Sequence, residues 1–296
     1  DASEVVGTKD AGGDEGEEAD GGPIPDAGAN TRDVAAEERI LRLWTFNILN
    51  PSNPLASGAD VHKRTRIVID AIKAEKPDII ALQEVVQSGD VPNRARFIAE
   101  ETGYRWEWHQ TYSIVLYDEG IAVLSRHPIL STRTHKLPHK DLILFNRYVL
   151  GARVETAAGE VDFYCTHMTA GGSDSESADQ AVEAWSFMSA ESAGVPAFLA
   201  GDLNAEPDTP AMRFLRGEAP RGGKTGDLSD LWLVTRPEDP GYTISPDNPH
   251  DRIDYIYASP RAMEVFEPVD CRLIFAHRVD ASFASDHIGV ACDLRW

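Results

Sequence analysis

"FLAGDLNAEPDT", residues 198–209, decides how the rest of the chain is read. An apolar run from Phe198 ends by presenting Asp202, Asn204, Glu206 and Asp208, with Pro207 and Pro210 stiffening the exit. Side chains alternate across a strand, so Asp202 and Asn204 are expected on one face. An ordinary loop would be polar without needing that shared face. Glu206 and Asp208, next to the prolines, read as turn and cap residues. Thr209 as N-cap and Pro210 at the first helical position would launch a short helix.

The same arrangement, an apolar run with a polar end, recurs on both sides of this stretch. "RLWTFNIL" (42–49) carries Asn47, "DIIALQEV" (78–85) Glu84, and "EVDFYCTHM" (160–168) His167. "DRIDYIYAS" (251–259) places Arg252 and Asp254 on one face, and Asp286–His287 opens "HIGVACDLRW" (287–296). "GIAVLSR" (120–126), "YVLGARVET" (148–156) and "PAFLAGDLN" (196–204) complete the predicted strands, all short and bounded by turn residues. Helices are expected over 60–75, over 92–103 with Gly103 as C-cap, over 176–192, and after Thr209. Two sheets packed face to face with helices outside, as one domain over residues 37–296, suit this mixture. A doubly wound parallel sheet would want more regular alternation and a glycine-rich phosphate loop after an early strand, and neither occurs.

Residues 1–36 are a Gly/Asp/Glu-rich leader with almost no large apolar side chains. Such a segment buries too little to offset the entropy of ordering, so it is expected to be a disordered tether rather than an acidic interaction arm. The whole chain has 28 Lys+Arg against 49 Asp+Glu, a net charge of −21, of which residues 1–35 contribute −8. No apolar stretch approaches the ~20 residues of a membrane span. With no initiator Met and an acidic leader, the expectation is an extracytoplasmic protein, secreted or periplasmic. Lipid anchoring through a residue upstream of Asp1 fits the same reading. Three cysteines are too few for a disulfide scaffold and lack metal-site spacing, and Cys165 and Cys292, in strand-like runs, are read as buried free thiols.

Six polar strand ends together point to a built site, although any one alone would be a turn former. Asn47 and Glu84 are oxygen ligands suited to a hard cation such as Mg²⁺, with Mn²⁺ the alternative. No HExxH pair or cysteine cluster suggests zinc. Asp254 with His287 forms a carboxylate–imidazole pair. Asp202, held by Asn204, is placed to orient and deprotonate a water, and His167 and Arg147 are donors for non-bridging phosphate oxygens. These are the parts of metal-assisted phosphoester hydrolysis.

"TFNIL", "IIALQE", "GIAVLSR", "CTHM", "AGDLNAEPDT", "DRIDYI" and "SDH" occur in an order that resembles the endonuclease/exonuclease/phosphatase superfamily over residues 42–296. "GDLN" alone is a weak signal; the ordered set is a strong one. The resemblance implies a four-layered α/β sandwich of two mostly antiparallel sheets with helices outside. It implies Asn47 and Glu84 at the metal with Asp286 close by, and Asp202 and Asn204 at the nucleophilic water. His167 would contact the phosphate, and His287 with Asp254 would act as general acid/base or stabilise charge. Asp251 competes with Asp254 as the partner of His287; Asp254 is favoured because "RxDYI" is the more complete match. The "TH" pattern is nearer the DNase-I-like and sphingomyelinase-like branches.

Nucleic-acid binding usually rests on Lys/Arg contacts to phosphates. The chain beyond the leader carries −13 and has no basic cluster, which disfavours a nuclease. A phosphodiesterase acting on a phospholipid headgroup or small phosphoester is the expected function, with a nuclease using the same site as the alternative. A catalytically silent binding module ranks last, since Asn47, Glu84, His167, Asp202, Asn204, Asp254, Asp286 and His287 are all present. No protein partner is predicted. Trp106 and Trp108 alternate as in an edge strand with one packed face, in preference to a stacking platform. Leu142 to Phe145 is read as a buried strand entry rather than a membrane-touching loop, and "TAGGSDSESAD" (169–179) as a flexible lip. Arg126 either approaches the site or forms a structural ion pair. The remaining histidines are assigned to surface or loops.

Overall fold

The computed structural model describes residues 39–50, 58–89, 92–139, 146–171 and 173–296. The acidic leader and the Leu142–Phe145 run lie outside the described residues. In chain order the strands are β1 (Ile40–Asn47), β2 (Ile79–Gln87), β3 (Arg105–Ser113), β4 (Asp118–Ser125), β5 (Ile129–Lys136) and β6 (Tyr148–Thr156). They continue with β7 (Gly159–His167), β8 (Ala197–Asp202), β9 (Ser229–Asp230), β10 (Asp254–Ala258), β11 (Glu267–Ile274) and β12 (Gly289–Arg295). The helices are α1 (Gly58–Glu75), α2 (Arg94–Thr102), α3 (Asp174–Glu191), α4 (Pro210–Leu215), α5 (Leu231–Thr235) and α6 (Pro260–Val265).

The strands form two six-stranded sheets, ordered β11-β12-β1-β2-β4-β3 and β5-β6-β7-β8-β10-β9. Each has one parallel pair at its centre, β1–β2 and β7–β8, flanked by antiparallel neighbours. A parallel pair needs a long crossover, and α1 and α3 supply it. The two sheets therefore have the same sequence of strand directions.

Period-two alternation sorts the side chains. Leu41, Leu43, Ile121 and Val123 face inward against Ala152, Phe163, Phe198 and Ile256 of the other sheet. Trp44, Phe46, Ile80 and Leu82 point outward beneath α1 and α2, meeting Val68, Ile69, Ile72 and Ile98. On the second sheet Val149, Tyr164, Leu199 and Tyr255 pack beneath α3 and α4, against Ala181, Met188, Met212 and Phe214. Each large side chain so buried contributes about 1.5–3 kcal/mol relative to exposure. The result is the expected four-layered α/β sandwich.

All eight predicted strands are present. The strands that no apolar run announces, β5, β9 and β11, are edges, where one side is left to solvent and the pattern weakens. The fourth edge is β3, where Trp106 and Trp108 pack one face against the core as expected. Gly103 caps α2 in a left-handed conformation, φ 78°, its N–H donating to the Ala99 carbonyl. Thr209 sits at the N-cap of α4, but its hydroxyl donates to the Glu206 carbonyl at 2.7 Å instead of capping. The predicted lip at 169–179 is largely the start of α3, capped by Ser173.

The reading of Cys292 as a free thiol is corrected: it forms a disulfide with Cys271. The two face each other across the antiparallel β11–β12 ladder, and β11 is one of the edge strands that the sequence did not reveal. Cys165 is free and fully buried, and burial pushes its thiol up to about 12.

Candidate active site

The C-terminal ends of the two central parallel pairs carry the polar residues. Asn47 is the last residue of β1 and Glu84 lies near the end of β2. Between Leu82 and Val85 the pairing of β2 with β4 gains one residue, a bulge, and Glu84 sits there with φ 56°. The bulge lets Leu82 and Val85 stay in the outer core while Glu84 turns out of the ladder. Asn47 Nδ2 donates to Glu84 Oε1 and to Asp202 Oδ2, both at 3.0 Å, and lies 3.4 Å from His287 Nε2. One amide thus ties the first sheet's carboxylate to the second sheet's.

Asp202 ends β8, in register with His167 of β7 and Asp254 of β10. Gly201 precedes it with φ 153°, and a Cβ there would come within 2.0 Å of the Thr166 carbonyl oxygen, so the motif's glycine is a packing requirement. Asn204 is past the strand end with φ 48°, so strand parity does not govern it. It holds Asp202 through its backbone N–H, 3.0 Å from Oδ1, while its side chain donates to the Met168 carbonyl.

His287 Nδ1 is 3.0 Å from Asp254 Oδ2, which resolves the choice between Asp254 and Asp251. Asp251 instead lies 3.5 Å from His250. Burial disfavours a charged His287 ring, but Asp254 and Asp202 together raise it to about 10, which favours the imidazolium form. Its Nε2 is 3.7 Å from Asp202. Burial, with Asp254's charge adding to it, pushes the Asp202 carboxyl up to about 7. His167, 3.5 Å from Asp202, is driven the other way: burial, then Arg147 and His287, hold it well below the usual histidine value, so it is neutral.

The remaining predicted residues lie around this centre. The Asp286 side chain is exposed and lines a cleft of about 370 Å³ with Leu49, Asp60, Arg64 and Ser245. Neither Glu84 nor Asp286 has an ion-pair partner among the described residues. Arg147 has a buried Nε without a hydrogen-bond partner, and its charge is felt by both His167 and Glu119. Arg64 in the Asp286 cleft likewise has unpartnered buried nitrogens. Sequence reasoning missed it because its position on α1 shows no motif.

Two supports were also illegible in sequence. Arg94, fully buried, donates to the Ile48 and Leu49 carbonyls at 2.7 Å and so clamps the chain just after Asn47. Burial lowers its guanidinium to about 9. The Asn50 N–H donates to Glu84 Oε2 at 2.6 Å while its side chain donates to Glu119, whose carboxyl burial and Glu84 raise to about 7.

Arg252 is structural: it pairs with Asp230 at 2.9 Å and stacks over Tyr255. Arg126 is a structural ion pair with Asp78, which also binds His127 at 2.7 Å. His139 is not a bare surface residue either; it is mostly buried and bonds Glu176.

The chemistry available is narrow. A neutral imidazole and an imidazolium flank a carboxylate whose proton affinity is near neutrality, and the Arg147 charge acts on the neutral imidazole, an arrangement for moving a proton from water and stabilising negative charge. The ligating atoms of Asp202, Asp254 and His287 lie within 4.8 Å of one another. A family model described as "Endonuclease/Exonuclease/phosphatase family" matches residues 44–287. No curated protein is detectably similar in sequence. An endonuclease/exonuclease/phosphatase structure from Beutenbergia cavernae is 27% identical, covering 87% of this chain and 72% of that one with a TM-score of 0.68. The human nocturnin catalytic domain with bound sulfate is 19% identical, covering 86% and 93% with a TM-score of 0.68. D. rerio TDP2 complexed with single-strand DNA product is 18% identical, covering 87% and 99% with a TM-score of 0.67. At 18–19% identity the last two speak for the fold alone. Through residues 44–287 the chain belongs to the endonuclease/exonuclease/phosphatase family of hydrolytic phosphoesterases.

Proposed function

We propose that the protein is a metal-dependent phosphodiesterase of an extracytoplasmic compartment, acting on a phospholipid headgroup or a small phosphoester. The observation that carries this reading is the Asn47 amide joining Glu84 and Asp202 at 3.0 Å, with His287 and its Asp254 partner beside it. Asp202, fixed by the Asn204 backbone, accepts the proton of the attacking water. His167 and Arg147 donate to non-bridging phosphate oxygens. The His287 imidazolium, held by Asp254, stabilises charge or protonates the leaving oxygen.

A divalent cation fits the donor set. Glu84 and Asp286 are carboxylates without ion-pair partners among the described residues. Glu84 and Asp286 would hold Mg²⁺ or Mn²⁺ through hard carboxylate oxygens; Asn47, which turns its Nδ2 to Glu84 and its Oδ1 to the Leu49 N–H, would ligate only with its amide turned over. Asp202, Asp254 and His287 form a second cradle, in which His287 Nδ1 is already engaged by Asp254. When bound, the cation supplies Lewis-acid polarisation of the phosphoryl group.

The Cys271–Cys292 disulfide supports an oxidising compartment. The net charge of −21 favours a lipid or small ester over nucleic acid. A nuclease is the second reading, favoured by the TDP2 relative solved with single-strand DNA product. Headgroup release from phosphatidylcholine and cleavage of bis-p-nitrophenyl phosphate, each with Mg²⁺ or with chelator, test the proposal, with Asp202→Ala as the contamination control. Chelator-sensitive release by the wild type alone is expected. Nicking of supercoiled plasmid by the wild type and not the variant, without headgroup release, would replace the lipid reading with the nuclease one.

A further inference from the structure

The β3–β4 hairpin closes through a turn in which the Ile114 N–H donates to the Tyr117 carbonyl at 3.0 Å. At its tip Ile114, Val115 and Leu116 are 36%, 104% and 76% exposed. Other large exposed apolar residues, such as Leu130, Val234 and Val269, stand singly; three in succession occur only here among the described residues. Scattered apolar exposure is ordinary, whereas a contiguous apolar tip needs a reason.

The foot of the hairpin is tied to the active site by hydrogen bonds. At the foot of the hairpin the Tyr112 hydroxyl is 3.0 Å from that of Tyr117 and 3.1 Å from Glu119. Glu119 binds the Asn50 side chain, and the Asn50 N–H holds Glu84 at 2.6 Å. Leu116 is three residues from Glu119, about 10 Å along a strand. A short hydrogen-bonded run therefore links the apolar tip to a carboxylate of the site.

We propose that Ile114–Leu116 is a docking finger that inserts into a zwitterionic phospholipid surface and seats the active-site mouth upon it. Size argues against a protein occupant. The tip borders a shallow cleft with Gln87, Ser88 and Asn93 and offers on the order of a few hundred Å² of apolar surface. A stable protein interface needs about 1,000 Å² or more. A deformable apolar medium accepts such a tip without a matching pocket. Charge selects among membranes: a chain at −21 is repelled by anionic lipid and by nucleic acid, whereas a neutral headgroup layer imposes no such cost. Tyr117, part-buried with its hydroxyl bonded at the foot, suits the headgroup level. The assignment rests on the lipid-headgroup reading above, since the finger would hold a headgroup phosphodiester near the Glu84 and Asp202 carboxylates.

Flotation of the full chain with neutral phosphatidylcholine vesicles, in the presence of chelator, tests binding without turnover. The wild type should float, and the double variant Val115→Asp, Leu116→Asp should bind at least tenfold more weakly while keeping its circular dichroism spectrum. Wild-type protein that stays at the bottom, or a variant that floats equally, would overturn the finger. So would a wild-type dimer, seen by light scattering, that the double variant dissolves, because the tip would then be a self-association site. Flotation without headgroup release would leave docking standing and overturn the lipid-ester function. Headgroup release without flotation would do the reverse.

Discussion

His287 and Asp254 meet at 3.0 Å inside the protein, an imidazole from the threshold of β12 against a carboxylate from the first residue of β10. Because β12 belongs to one sheet and β10 to the other, this contact spans the sandwich. Its electrostatic consequence is a ring that stays protonated until the pH approaches about 10. In the metal-free protein, NMR titration of His287 should show its charge largely retained at pH 8. Asp254→Asn should move that titration toward the neutral range and lower kcat by about 10³-fold, a typical loss of acid–base assistance.

Asp202 should trade stability for activity. Its carboxyl is raised from 3.8 to about 7, mainly by burial. A group that holds its proton more tightly when folded destabilises the fold as the pH rises from its unfolded value through its folded one. Asp202→Asn removes that cost. At pH 8 in chelator the variant should melt higher, by about 1–3 kcal/mol of stability, while turnover falls by several orders of magnitude. Calorimetry and an activity assay on one preparation check both.

Asp162 should govern the acid limb. It is buried beneath Arg133 at 2.7 Å, Arg153 at 2.8 Å and the Ser192 hydroxyl at 2.7 Å. Burial alone would raise its carboxyl, yet these donors hold it below 3.8. A lowered value stabilises the fold above the unfolded value and ceases to do so as the pH falls through the folded one. Asp162→Asn should cost about 3–5 kcal/mol at pH 7, the usual penalty for stranding buried partners. The deficit should shrink toward pH 2 in denaturant titrations.

The Cys271–Cys292 bond closes a 21-residue separation. Chain-entropy arguments put such a loop at about 3 kcal/mol. Cys271→Ser/Cys292→Ser should lower stability by that order. Thiol titration of unfolded, unreduced wild type should find one reactive group, Cys165, with two more appearing on reduction.

Arg94 should matter through the loop it grips. Arg94→Met leaves the Ile48 and Leu49 carbonyls without their donor. A loss of about 2–4 kcal/mol is expected from the buried hydrogen bonds, together with weaker Mn²⁺ binding by calorimetry, because Asn47 lies immediately before the clamped segment.

The sandwich was readable because each inner strand is an apolar run buried on both faces, such as "DIIALQEV" with Ile79 inward and Ile80 outward. The polar strand ends were readable for the same reason: Asn47, Glu84, His167 and Asp202 each interrupt such a run. What failed was whatever depends on a partner far along the chain. Cys292 looked like a lone thiol because its partner sits in the edge strand β11, which lacks the apolar pattern. Arg94 and Glu119 look like ordinary surface charges in sequence, and only the folded chain shows what they hold. Asn204 was placed by strand parity that ends two residues earlier, at Asp202.

The shared strand order of the two sheets has a mechanical consequence. Glu84 is carried by one sheet and Asp202 by the other, so the gap between them depends on the filling in the middle, on Ile121, Phe163 and Phe198. The inter-sheet core works as a spacer of fixed thickness. Shaving it, for instance with Phe163→Leu, alters the jaw width as well as the strength of the vice, and an enzyme built this way can lose its grip on a phosphate while remaining folded.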